Sequence, residues 1–497
     1  MACLKGGAAA AEIVVSGAPS SKLRREAKGL SQNISAMKVL FLAAEATPWI
    51  KVGGLGDVAG ALPQALRRRG MDVKLMLPRY GSIDPGKWGL EKALDNFAVP
   101  MDWHMEDSQL WRAPDQDAYF IENQRFFGSR AQAYGEGDDA ERFIYFARSA
   151  LEACRHLDWQ PDIIHAHDWH SAAAIRLHWA SFNRAALVFT IHNIAHQGLV
   201  RNTKWPLIGV YDAVGPLNLM EQAIYAADVV TTVSPTYANE IRTSEYGFGL
   251  ESVLRDKGDR VVGILNGLDD ESWDPATDSA IAANFSAGHP LGKAECKRAL
   301  QEQVGLPQRS DAPLLGVVSR LDSQKGIRLI LDALPELLSL TSAQVMFLGS
   351  GYHQYENEIH RWTAHHGDRV ASFIGFNSDL SRRVYAGSDM FLMPSNFEPC
   401  GLSQLISMRY GTLPVARATG GLVDTIRNRL EDDWTGYLFG AFDKGALLGA
   451  TGRALHDYRD SQLWTDAVVR AMSQDFSWQR SAARYEEVFH WALQVRG

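Results

Sequence analysis

The chain has 497 residues, 46% hydrophobic and 22% charged, with a formal charge of -8. It is too long for one compact core and too apolar for a disordered or fibrous chain, so two globular domains of roughly 200–250 residues each are expected. No apolar run approaches the roughly 20 residues of a membrane helix, and the acidic balance argues against a nucleic-acid or membrane partner.

Residues 1–36 stand apart, rich in Ala, Ser and Gly, with five Lys/Arg against two Glu. Glu12 interrupts their apolar stretch, which argues against a secretory signal peptide. An organelle transit peptide, a disordered extension and a start codon placed upstream of the folded chain all fit. From Met37 short apolar runs alternate with longer amphipathic ones. Strands are predicted at 39–44, 73–77, 163–166, 187–191, 229–233 and 261–265, then at 314–318, 345–348, 370–374, 390–393 and 414–416. Continuous apolar strands separated by helix-length segments indicate an α/β fold with parallel sheets covered on both faces, twice over. Ligands of such sheets bind beyond the carboxyl ends of the strands, so chemistry is expected there. Asn266-Gly267 follows a strand and carries turn chemistry, which marks it as a crossing between the halves.

Polar motifs do follow those strands. Lys51-Val52-Gly53-Gly54-Leu55-Gly56-Asp57 combines glycines that permit close backbone approach with a helix N-terminus suited to an anion. Pro63, inside the helical repeat that follows, implies a kink or a late helix start. His165-Ala166-His167-Asp168-Trp169-His170 could ligate a metal, but no further Cys or carboxylate cluster lies nearby, and a polar strand end bonding a sugar fits better. His192-Asn193 closes the next strand. Arg320 and Lys325, in Ser319-Arg320-Leu321-Asp322-Ser323-Gln324-Lys325-Gly326, can neutralise a diphosphate without a metal. Glu398-Pro399-Cys400-Gly401-Leu402 and Thr419-Gly420-Gly421 set a carboxylate beside backbone amides, as a sugar nucleotide requires. The four cysteines are far apart and form no CxxC pair, which suits a reducing compartment and disfavours a disulfide or zinc scaffold.

In this order and spacing, KVGGLGD, HAHDWH, TIHN, SRLDSQKG, EPCGL and TGGL resemble the bacterial glycogen synthases and plant starch synthases, from Met37 to the final helix. The resemblance implies the two-domain glycosyltransferase B fold, with Rossmann-like domains over 37–265 and 266–475 and a last helix, 476–497, crossing back to the first. It implies retaining transfer of glucose from ADP-glucose to an α-1,4-glucan, with no metal and no cofactor. Lys51, Gly53, Gly54 and Asp57 would then lie near the donor phosphate and sugar. Asp168 and His192 would face the donor glucose, His192 mainly through its carbonyl, with Asn266 supporting the pocket. Arg320 and Lys325 would stabilise the leaving diphosphate, and Glu398 would contact glucose hydroxyls. The amides of Cys400, Gly401, Gly420 and Gly421, with Leu402 and Thr419 beside them, would hold sugar and phosphates, and Phe376 would stack on adenine. Lys325 and Glu398 are thus expected at opposite ends of the donor.

Many retaining enzymes of this fold carry a second Glu eight residues after the first; here that position is Ile406. A nucleotide-dependent oxidoreductase would require a regular GxGxxG that the first turn lacks. A silent glucan-binding relative would require loss of Glu398, Arg320 or Lys325, all present. ADP-glucose against UDP-glucose, glycogen against starch, and oligomeric state stay open on residue chemistry. The location is cytoplasmic if the chain is bacterial, or plastid stroma if 1–36 is a transit peptide.

Overall fold

The computed structural model describes residues 36–181, 184–200 and 202–497, so the N-terminal extension, Ala36 excepted, lies outside the described residues. In chain order the first-half strands are β1 (Lys38–Leu42), β2 (Asp72–Pro78), β3 (Glu91–Met101), β4 (His104–Ala113), β5 (Ala118–Glu122), β6 (Ile163–His167), β7 (Ala186–Ile191), β8 (Leu199–Val200), β9 (Leu217–Asn218), β10 (Val229–Thr232) and β11 (Val261–Gly263). The second half supplies β12 (Leu314–Val318), β13 (Gln344–Gly349), β14 (Val370–Ile374), β15 (Met390–Met393), β16 (Leu413–Arg417) and β17 (Tyr437–Phe439).

Apart from the small β8–β9 pair, these strands form two sheets. One runs β11-β10-β7-β6-β1-β2-β5-β4-β3 and the other β14-β13-β12-β15-β16-β17. The second is parallel throughout, whereas the first is parallel as far as β5 and ends in the antiparallel strands β4 and β3. Strands buried on both faces read as unbroken apolar runs, as in β7, Ala-Leu-Val-Phe-Thr-Ile, every residue of which is buried. The runs expected from the sequence match β1, β2, β6, β7, β10, β11 and β12 to β16. Missed are β17, only three residues long, the two-residue strands β8 and β9, and the edge β3–β5, where β3 mixes exposed charges with buried Phe97, Val99 and Met101.

Strand order reverses between β1 and β6 in the first sheet and between β12 and β15 in the second, and these are the switch points where open α/β sheets bind ligands. The Gly54–Arg68 helix begins directly at its glycines and runs through Pro63, so there is no late start. The final helix, Trp478–Arg496, packs on the Gly54–Arg68 helix and β7, and its Trp478, Tyr485 and Phe489 belong to the first sheet's core. Where the chain leaves the first sheet, the Leu268 amide donates to the Phe476 carbonyl at 2.7 Å, so the outgoing and returning strands of chain run side by side. Among the described residues no helix is long and apolar enough to cross a membrane.

Candidate active site

The six motifs from KVGGLGD to TGGL emerge at or beside a switch point, whereas Asn266 follows the edge strand β11 and Phe376 the edge strand β14. After β1 the chain turns back on Glu45, a carboxylate only 2% exposed. Its oxygens accept the Val52 amide and, at 3.0 Å, the Gly53 amide, and so pin the glycine loop. Burial raises the Glu45 carboxyl above its ordinary range despite these bonds. Gly54 opens the helix, and a Cβ added there would meet nothing within 4 Å, so the protein's own packing does not demand glycine at this point. Close approach by a ligand would. Lys51, half exposed, pairs with Asp57 at 2.8 Å.

Beyond β6 lies Asp168, 9% exposed and at φ 55, a conformation costly for a residue with a side chain. The surroundings justify that cost. Asp168 Oδ1 accepts the His192 amide at 2.7 Å and the Asn193 amide at 3.4 Å, which ties the ends of β6 and β7 together. Burial pushes the Asp168 carboxyl up to about 7, these backbone bonds opposing the shift and the Glu45 charge adding to it. The neighbouring histidines are committed to one another and to the core. His165 bonds Thr190 Oγ1 at 2.7 Å, His167 Nδ1 lies 2.9 Å from His192 Nε2, and His170 packs against Tyr134 and Phe143. Burial depresses all four imidazoles, those of His165, His170 and His192 to about 3, so all are neutral near pH 7.

Beyond β12 and β15 the arrangement is ionic. Lys325 Nζ sits 2.6 Å from Glu398 Oε2, which also accepts Ser395 Oγ at 3.0 Å. The expectation that Lys325 and Glu398 occupy opposite ends of a donor is therefore corrected: they touch, because the β12 and β15 loops are neighbours across the switch point. Arg320 is held outward by Asp322 at 2.6 Å and Gln324 at 3.0 Å. Burial pushes the Cys400 thiol up to about 12, which leaves it a neutral wall. Gly401 and Leu402 lead into the Ser403–Arg409 helix. Phe376, after β14, is 89% exposed.

The Thr419-Gly420-Gly421 loop lies directly on the Glu398 segment. A Cβ on Gly420 would collide with the Glu398 carbonyl, and one on Gly421 with that of Cys400, so glycine is required by close approach. The Gly421 amide donates to Glu398 O at 3.0 Å, and Gly420 N donates to Glu240 Oε1 at 2.9 Å, where Thr419 Oγ1 also bonds at 3.0 Å. Both amides expected to hold a ligand thus have protein acceptors. Glu240 comes from the first half of the chain, as do Ser234, donating to Pro399 O at 2.6 Å, and Thr236, bonding Asp424 at 2.8 Å. Asn266 also sits in this seam, 7% exposed, its buried Oδ1 without a hydrogen-bond partner.

Sequence reasoning passed over Glu45, Glu240 and Ser395. Glu45 had a signal, a lone charge in the apolar run Phe41-Leu42-Ala43-Ala44. Glu240 had none, because its partners lie 179 and 180 residues further on.

Residues 38–256 match the family described as Starch synthase catalytic domain, and residues 301–467 that described as Glycosyl transferases group 1. The chain is 46% identical over 478 residues to the glycogen synthase of Anaeromyxobacter dehalogenans (strain 2CP-C), covering 91% of this chain and 99% of that protein. The catalytic domain of Starch Synthase IV from Arabidopsis thaliana, bound to ADP and acarbose, superposes with a TM-score of 0.85 at 37% identity, covering 93% of this chain and 100% of that one. Sucrose-phosphate synthase from Thermosynechococcus elongatus, at 19% identity and a TM-score of 0.60 over 92% of this chain and 98% of that one, shares the fold.

Proposed function

The chain belongs to the glycogen synthase and starch synthase family of glycosyltransferases, and from that premise we propose that it transfers glucose from ADP-glucose to the non-reducing end of an α-1,4-glucan with retention of configuration. The observation that carries this reading is the Lys325–Glu398 contact, which sets a cation for phosphate beside a carboxylate for sugar hydroxyls at one switch point. The 37%-identical neighbour that holds ADP supports adenine as the donor's base.

On this reading 37–265 is the acceptor and catalytic domain, 266–475 the nucleotide-sugar domain, and 476–497 the helix returning to the first. Lys325 and Arg320 neutralise the negative charge that builds on the diphosphate as its bond to the anomeric carbon breaks, while a bond forms from that carbon to an acceptor hydroxyl oxygen, whose proton passes to the departing phosphate oxygen. Stabilising charge that develops only in the transition state is where the acceleration arises. Asp168 and the His192 carbonyl face the sugar as positive charge builds. Lys51, Asp57 and the Gly53-Gly54 backbone close the pocket from the first sheet, while Asn266 Oδ1 and the Cys400 and Gly401 amides supply its fixed polar groups. Leu402 completes the wall, and Phe376 offers a ring to adenine. We assign Gly421 to holding the Glu398 backbone and Thr419 and Gly420 to tying the same loop to Glu240.

Glucose incorporation into a glucan primer, with ADP-glucose and UDP-glucose compared and a chelator present, tests the reading. Transfer preferring ADP-glucose and surviving chelation is expected. Transfer from neither donor, or transfer restored only by a divalent metal, overturns it.

A further inference from the structure

The reading above uses His192 and Asp168 but leaves His167 unexplained. Its ring is fully buried, stacked on Phe41 with centroids 4.1 Å apart and planes 26° from parallel, and 4.1 Å from the His165 ring. One polar contact reaches it, from Nδ1 to His192 Nε2 at 2.9 Å; its own Nε2 is buried and has no partner. His192 by contrast is partly exposed.

Two neutral imidazoles sharing that contact have two proton arrangements. If His192 Nε2 carried the bridging proton, His167 Nδ1 would accept it, and the His167 proton would sit on Nε2, a buried N–H with no acceptor. If His167 Nδ1 carries it, the atom left unpaired is a bare ring nitrogen, and the only N–H of the buried ring is satisfied. An orphaned buried donor is the rarer and costlier outcome. The second arrangement also decides the partner: His192 accepts at Nε2, so its own proton is on Nδ1. The backbone agrees with a fixed ring, because Asp168 Oδ1 grips the His192 amide at 2.7 Å and Ser171 Oγ accepts the His167 amide at 2.6 Å. Both residues are locked at the main chain, which leaves side-chain rotation and tautomer as the freedoms the His167–His192 bond removes.

We propose that His167 is a positioning residue that holds His192 as the Nδ1–H tautomer, so that the exposed side of the pair presents a hydrogen-bond donor to a hydroxyl oxygen of the donor sugar. This rests on the reading that places His192 beside that sugar.

Three full-length variants and one spectrum test it. His167→Phe keeps the stack on Phe41 and removes the donor, whereas His167→Asn loses the stack but puts an amide N–H where Nδ1–H was. With glucan and ADP-glucose as substrates, the Phe variant should melt near the parent yet lose about tenfold in kcat, the rate equivalent of one hydrogen bond, with glucan KM unchanged. The Asn variant should stay within about threefold of the parent kcat. Nitrogen-15 spectra of histidine-labelled parent should show the His192 proton on Nδ1 and a bare Nε2, and that preference should disappear in the Phe variant. A His192 proton on Nε2 overturns the proposal, as does a Phe variant faster than the Asn variant, which a merely packed ring would give. His192→Ala is the control: if it turns over at the parent rate, the placement of His192 fails, and the spectrum still decides the tautomer.

Discussion

The switch points of the two sheets are built in contrasting ways. At β12/β15 the polar groups carry charge and satisfy each other, Lys325 against Glu398 and Arg320 against Asp322. At β1/β6, apart from the Lys51–Asp57 pair, they are buried and bonded to backbone, with Glu45 holding two amides, Asp168 two more, and the imidazoles kept uncharged by burial. A paired charge can turn toward a ligand by exchanging partners, whereas a buried group bonded to backbone can only hold its place. On the proposed reading, the second sheet receives the diphosphate and the first shapes the surroundings of the sugar.

The largest effects should fall on the charged half. Lys325→Ala and Glu398→Gln should each lower kcat by about 10²–10³, with Lys325→Arg recovering only part, since a planar fork does not replace a point charge. A Glu398→Gln variant with kcat near the parent's would remove the contrast. In the buried half Asp168→Asn keeps the shape and should lower kcat by about tenfold, the weight of one charge-assisted hydrogen bond. Its diagnostic is pH. With the carboxyl pushed up to about 7, parent activity should rise with pH through that value as Asp168 ionises, and the Asn variant should lose that limb. The sign for stability is opposite. A carboxyl raised above its unfolded value keeps its proton longer in the folded state, so its contribution to parent stability should decline from about pH 4 to about pH 7, a decline absent in the Asn variant. No histidine limb should appear near pH 6.5, because the site imidazoles stay neutral. The smallest effect tests the seam between the halves. Glu240→Gln retains an oxygen for Thr419 and Gly420 and should change stability by less than about 1 kcal/mol, while Glu240→Ala should cost about 1–2 kcal/mol in denaturant unfolding. Equal behaviour of the two would show that the seam does not depend on this carboxylate.

What the sequence revealed follows the same division. Parallel strands buried on both faces announce themselves as apolar runs, and polar residues at their carboxyl ends stand out against them, which is why β1, β6, β12 and β15 and their loops were readable. The β3–β5 edge, with its exposed Glu91, Lys92 and Asp95, carries no such run. The loops could be read, but the pairings among them could not. Spacing along the chain says nothing of whether Lys325 meets a phosphate or Glu398, 73 residues on. Nor does it say that Gly420 and Gly421 are glycines because the Glu398 backbone lies against them.

The central claim is that Lys325 and Glu398 act on the donor as one unit, and a double-mutant cycle on kcat tests it directly. Groups 2.6 Å apart should couple, so Lys325→Ala combined with Glu398→Gln should be little slower than the worse single variant, at melting temperatures close to the parent's. Losses that multiply would contradict the account, showing that the two residues act on the donor independently.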